Sequence, residues 1–216
     1  MAAFPTSVFD NVFFCGFTSE ASFGAWSYLI VRAPEEGGNV LVDSPRFTAP
    51  LVKRIEEMGG VATMFLSHRD DIADHADFAA HFNCPRVMHE GDGAARLGIE
   101  RVITGDAALA LAPDLLCIPT PGHTRGHQSV LIDDGHGHKA LFLGDVVPTA
   151  LHVKLPFIMG YDLDVVGTLE TKRRVLGRAI DERWLVVFGH DKDLSAGYLG
   201  YDAKGNITVI ERAPIS

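Results

Sequence analysis

Cysteine is scarce in this chain, and so is positive charge. Three cysteines, Cys15, Cys84 and Cys117, stand among 216 residues, each in an apolar segment and with no C-x-x-C pair. An odd number in that setting excludes a disulfide framework or zinc-knuckle pattern and predicts buried thiols in a reducing compartment. Lys and Arg number 19 against 28 Asp and Glu, for a net charge of −9 with histidine neutral. The one basic run, Lys172-Arg173-Arg174, is short, so neither a nucleic-acid nor an anionic-membrane footprint is expected. No segment approaches the roughly 18 apolar residues of a membrane span. The start, Met1-Ala2-Ala3-Phe4-Pro5, lacks the basic and apolar regions of a secretory signal. The expectation is a cytoplasmic protein with one domain over residues 1–216, because a single core serves chains of about 100 to 250 residues.

What is present is an apolar chain, 47% hydrophobic, with ten histidines. Runs rich in Val, Leu, Ile and Phe predict strands at Val12–Phe17, Trp26–Arg32, Val40–Val42, Thr63–Leu66, Arg86–His89, Leu115–Ile118, Ser129–Ile132, Ala140–Leu143 and Leu185–Phe188. Helical patterns cover Ala49–Met58, ended by Gly59-Gly60, then Ile72–Phe82 and Val165–Ile180. Early strands form a meander, and later ones alternate with helices, which predicts sheets covered by helices on their outer faces. The Gly/His-rich stretch Asp133–His138 reads as a hairpin turn. His81 and His89 read as surface or packing residues.

Four strand-like runs end in a turn carrying metal-capable side chains. They are Leu66-Ser67-His68-Arg69-Asp70-Asp71-Ile72-Ala73-Asp74-His75, then Pro121-Gly122-His123-Thr124-Arg125-Gly126-His127, then Leu143-Gly144-Asp145, and Phe188-Gly189-His190-Asp191. Imidazole and carboxylate at the carboxyl ends of neighbouring strands form the ligand set of zinc and non-haem iron. Each piece alone has an ordinary explanation. Asp71 reads as the N-cap of a helix beginning at Ile72, with Asp74 in its first turn, and the glycines read as turn residues. The recurrence after four strands is what those explanations leave over, and it points to one shared metal site.

These motifs, in this order and with these separations, resemble the metallo-β-lactamase superfamily over nearly the whole chain. Within it, Cys15-Gly16-Phe17, Gly24-Ala25-Trp26-Ser27-Tyr28, Val42-Asp43-Ser44-Pro45-Arg46 and His68–His75 resemble a subfamily, some of whose members are fused to ferredoxin-like domains. The resemblance implies an α+β fold, the four-layer αβ/βα sandwich. It also implies two divalent metal ions, with zinc the leading candidate and iron or manganese its competitors. One metal would be held by His68 and His123, the other by Asp74, His75 and His190, with Asp145 bridging. Asp43 and His127 would support ligands by hydrogen bonding. The superfamily motif is H-x-H-x-D-H, whereas this chain reads H-R-D-D-I-A-D-H. The missing second histidine leaves Asp70, or alternatively Asp71, to replace it, and a harder oxygen donor makes iron or manganese more competitive.

The reading that follows is a metal-dependent hydrolase of a small molecule. A metal-activated water would attack an ester, thioester or lactone, with Asp74 taking its proton. The chain is short for the added helical domain of glyoxalase II. A persulfide dioxygenase with one iron on His68, His123 and Asp145 is the alternative, and a non-catalytic metal-binding protein a third. Residues 148–162 are long enough to roof the site or to form a packing or homodimer contact. Asp70 gives a direct test. As a ligand, Asp70→Ala lowers metal content, whereas a loop or capping role costs about 0.5–2 kcal/mol of stability and leaves metal content unchanged.

Overall fold

A computed structural model describes residues 4–133 and 137–213. They divide into two compact units, one over residues 4–104 and the other over residues 105–213. The first contains β1 (Thr6–Phe9), β2 (Val12–Phe14), β3 (Tyr28–Ile30), β4 (Val40–Val42), α1 (Ala49–Glu57), β5 (Thr63–Phe65), α2 (His75–Phe82), β6 (Arg86–His89) and β7 (Arg101–Ile103). Its strands pair in chain order in one sheet. β1 to β4 are antiparallel neighbours, and β4 to β7 are parallel. Parallel neighbours need a crossover, which α1 supplies between β4 and β5, and α2 between β5 and β6. The parallel strands therefore end at one edge of the sheet, where Asp43 follows β4 and Ser67-His68 follow β5.

Every residue of β3 and β4 is buried, as expected of central strands covered on both faces. α1 buries Leu51, Val52 and Ile55 on one face, and stops where Gly59 and Gly60 take φ of +102° and +74°, a conformation suited to glycine. Leu29, Leu41, Leu51, Met64, Leu66 and Phe78 form the centre of this core.

The second unit contains β8 (Leu109–Ala112), β9 (Leu115–Pro119), β10 (Gln128–Asp133), β11 (Lys139–Phe142), α3 (Val165–Asp181), β12 (Leu185–Val187), β13 (Ala196–Tyr201) and β14 (Ile207–Arg212). Its sheet runs β14-β13-β12-β11-β10-β9-β8. β10 is antiparallel to β9 and to β11, while β11 and β12 are parallel, joined by α3. It follows that β9, β11 and β12 point the same way and deliver their carboxyl ends to one edge. Leu141, Leu143, Leu176, Trp184, Val186 and Phe188 are fully buried in the core beneath.

The predicted runs at 12–17, 26–32, 40–42, 63–66, 86–89, 115–118, 129–132, 140–143 and 185–188 all contain strands. β1, β7, β8, β13 and β14 lie outside the predicted runs; β1, β7, β8 and β14 are the edge strands of their sheets, and β13 carries two glycines. In β13, a Cβ on Gly197 or Gly200 would lie 2.7 Å from Val209 Cγ1 or 2.9 Å from Ile210 Cγ2, so glycine there admits the side chains of β14. The hairpin expected around His136 falls on residues 134–136, outside the described residues. Cys15, Cys84 and Cys117 are buried free thiols. Burial pushes the Cys84 thiol up to about 11 and Cys15 higher still. Among the described residues, no helix is long and apolar enough to cross a membrane.

The start of α3 is fixed by Asp164, whose Oδ1 accepts from Gly167 N at 2.9 Å. Asp164→Ala is expected to lower stability by about 0.5–2 kcal/mol, as for other lost N-caps, read as a lower urea midpoint with unchanged slope.

Candidate metal centre

The second unit brings three of the expected ligands together. β9 runs into Thr120-Pro121-Gly122-His123, a turn held against α3 by Thr171 Oγ1 donating to Pro121 O at 2.8 Å and Arg174 Nη2 donating to Pro119 O at 2.6 Å. Gly122 has φ of +140°, and a Cβ there would overlap the backbone of Thr168. Only glycine lets the turn lie so close to the helix. The turn places His123 Nε2 3.5 Å from Asp145 Oδ2, and Asp145 Oδ1 lies 3.1 Å from His190 Nε2. The three side chains are 5%, 12% and 19% exposed. Imidazole nitrogens facing the two oxygens of one carboxylate are donors of the kind that divalent metals take.

Neighbouring groups hold this arrangement. Asp145 N donates to His127 Nε2 at 3.0 Å, which leaves the His127 proton on Nδ1, 2.8 Å from Thr120 Oγ1. His127 thus supports the Asp145 turn through its backbone. His123 Nδ1 lies 2.9 Å from Asp162 Oδ1, and the Asp162 side chain is 1% exposed. A carboxylate accepting from Nδ1–H fixes the ring's lone pair on Nε2. Asp162 was missed in the sequence because it lies 39 residues from its partner, with no motif linking them.

The first unit departs further from expectation. His68 is fully buried and its Nδ1 lies 2.9 Å from Ser67 Oγ. Ser67 N donates to Asp43 Oδ1 at 2.7 Å, so Asp43 acts on the residue before His68. Asp70 Oδ2 is 3.8 Å from His68 Nε2, and its side chain is 35% exposed. Asp71 does not cap a helix. α2 begins at His75, with Asp74 at its N-cap position and no side-chain cap bond, and Asp71 is buried at 2% exposure. The reason lies in the turn itself, where Ser44 N donates to Asp71 O and Ala73 N to Ser22 Oγ, partners that hold residues 71–73 outside the helix.

Asp74 and His75, the ligands that the resemblance implies, are engaged elsewhere. Asp74 Oδ2 accepts from Phe47 N at 2.7 Å. His75 Nδ1 lies 3.0 Å from Arg86 Nη1, and because arginine only donates, that nitrogen is the acceptor and the neutral ring carries its proton on Nε2. Arg86 is itself held by the Glu100 carboxylate, at 2.6 and 3.0 Å, and by Gly98 O at 2.6 Å. Burial first, and then Arg86, push His75 below the ordinary histidine range, which matches a neutral ring. Gly122→Ala is expected to cost about 1–3 kcal/mol from strain at the positive φ and to lower metal content by moving His123. Both are read on one preparation by urea denaturation and elemental analysis.

No protein-family model matches the chain. A hydroxyacylglutathione hydrolase from Mesorhizobium japonicum is 30% identical over 105 residues, which is 47% of this chain and 41% of the relative. One from Citrobacter koseri is 32% identical over 126 residues, 56% of this chain and 47% of the relative. The chain thus spans about half the length of the curated relatives it matches. Among solved structures, a probable metal-dependent hydrolase from Staphylococcus aureus superposes with a TM-score of 0.68 at 15% identity, covering 88% of this chain and 83% of that one. A dizinc quorum-quenching lactonase, in complex with a product N-hexanoyl-L-homoserine, gives 0.67 at 16% identity, covering 89% and 80%. The chain thus shares the fold of these metal-dependent hydrolase structures over most of its length, and resembles the hydroxyacylglutathione hydrolases in sequence over about half of it.

Proposed function

We propose that the chain is a metal-dependent hydrolase of an ester, thioester or lactone. The observation that carries this reading is Asp145 flanked by His123 Nε2 and His190 Nε2. These three residues would hold a metal from the second unit. From the first, the sequence pattern assigns His68, with Asp70 or Asp71 in place of the missing histidine. A divalent metal supplies Lewis acidity toward a carbonyl oxygen and lowers the pKa of a bound water to about 7. The chain's own groups then have separate tasks. His127 fixes the Asp145 turn, Ser67 and Asp43 orient His68, and a carboxylate takes the water's proton. The resemblance gives that last task to Asp74, whose Oδ2 accepts from Phe47 N and whose Oδ1 would take the proton. The names of the relatives, hydroxyacylglutathione hydrolase and lactonase, support acyl substrates, and zinc is the metal favoured by the dizinc neighbour.

A second reading is favoured by one specific observation. Arg86 at His75 Nδ1 takes a nitrogen out of the second metal's ligand set, which suits a single iron on His68, His123 and Asp145 and oxygen chemistry. Elemental analysis separates the two. The hydrolase reading expects about two metals per chain and turnover in a panel of esters, thioesters and lactones. It further expects His123→Ala and His190→Ala to lose metal and turnover together. One iron per chain with oxygen consumption would replace it by the dioxygenase, and undiminished metal in both variants would remove the site.

A further inference from the structure

The most deeply buried cation among the described residues has no part in the mechanism above. Lys172, on α3, is fully buried. Its Nζ donates to three backbone carbonyls, those of Lys154 at 2.9 Å, Leu155 at 3.4 Å and Phe157 at 2.7 Å. Burial draws its pKa down to about 8, and the charge of Asp162 acts in the opposite direction. Three carbonyls converging on one ammonium fix the path of a segment that has no regular secondary structure between residues 154 and 164. Downstream, Leu163 N donates to His123 O at 3.1 Å, and Asp164 N to Gly122 O at 2.9 Å. The segment is therefore pinned to α3 at one end and to the His123 turn at the other. Asp162 lies between these anchors, its carboxylate on His123 Nδ1.

We infer that residues 154–164 form a strap that positions His123, with Lys172 as its anchor and Asp162 as the residue that sets the imidazole tautomer. The physical argument is one of rotational freedom. A histidine on a turn can rotate about χ2 and carry its proton on either nitrogen, and either change removes the Nε2 lone pair from its direction toward Asp145. A carboxylate acceptor at Nδ1 makes one of these states dominant before any ligand arrives. A carboxylate on a loose loop could not do so, because its own ordering entropy would oppose the bond. The Lys172 bonds to three carbonyls remove that freedom from the strap. Asp162 and Lys172 are positioning residues for the metal reading proposed above, and they touch neither substrate nor reacting atoms.

The test uses metal-free full-length protein with ¹⁵N-labelled histidine, at a pH where the ring is neutral. Wild type is expected to show His123 as the Nδ1–H tautomer. Asp162→Ala is expected to move it to a mixture or to Nε2–H, with the backbone spectrum elsewhere unchanged. Asp162→Asn, which keeps the shape and a neutral acceptor, is expected to fall between them, and it carries the test if the alanine variant does not fold. Lys172→Met is expected to shift the tautomer in the same direction and to speed amide exchange at residues 154–164, whereas Lys172→Arg restores both. Zinc affinity, measured by chelator competition, should weaken about 10–100-fold in Asp162→Ala, the usual loss when a ligand's hydrogen-bond partner is removed. An Nε2–H tautomer in wild type, or a tautomer unmoved by Asp162→Ala and Asp162→Asn, would overturn the inference. Failure of wild type to take up zinc would instead sink the metal reading, and the tautomer measurement would still decide the role of the strap.

Discussion

Asp145 is the constraint on which the second unit's architecture turns. A largely buried carboxylate costs several kcal/mol unless opposite charge or hydrogen-bond donors meet it. Here the ring nitrogens of His123 and His190 face its two oxygens, an arrangement that a cation held among them would balance, while its backbone N–H donates to His127. Those partners come from the ends of β9, β11 and β12, which share a direction because β10 is antiparallel to both β9 and β11 and α3 returns the chain for a parallel β12. The sheet topology and the chemistry of the turn are thus one problem. A different order of strands would leave the carboxylate buried without these nitrogens.

α3 does more than return the chain. Its polar side chains Arg174, Thr171 and Lys172 each bind main-chain carbonyls, two on the turn leading to His123 and one on the strap that carries Asp162. Backbone carbonyls in loops need donors when they are covered, and a helix supplying them fixes the loops at the same time. Gly122 completes the arrangement by having no Cβ to keep the turn away from Thr168.

In the first unit a different ion pair decides the outcome. Arg86 and Glu100 are bonded through two nitrogens and two oxygens, and this holds the Glu100 carboxyl down at about 2. The remaining Arg86 donor meets His75. The arrangement is self-consistent, since a guanidinium needs acceptors and a neutral imidazole beside it offers one. Asp74 and His75 stand at the start of α2, where Phe47 N and Arg86 bind them.

By itself the sequence determined the elements with strong local signals. The buried strands β3, β4, β5, β9, β10, β11 and β12 were legible because central strands are apolar throughout, α1 because its buried face repeats at helical spacing, and the strand-end turns because glycine beside histidine or aspartate is a local pattern. It also determined the type of chemistry, since imidazole and carboxylate ligands are visible as residue types. The tertiary structure decided which of them meet. That Asp162 reaches His123, that Arg86 takes His75, that Asp71 is buried rather than capping α2, and that Lys172 gathers three carbonyls are pairings between residues 11 to 39 apart or between a side chain and a distant backbone. Periodicity encodes which face of an element is apolar. The partner of a buried polar group is chosen by the path of the whole chain, because it must come from whichever segment the packing brings within about 3 Å.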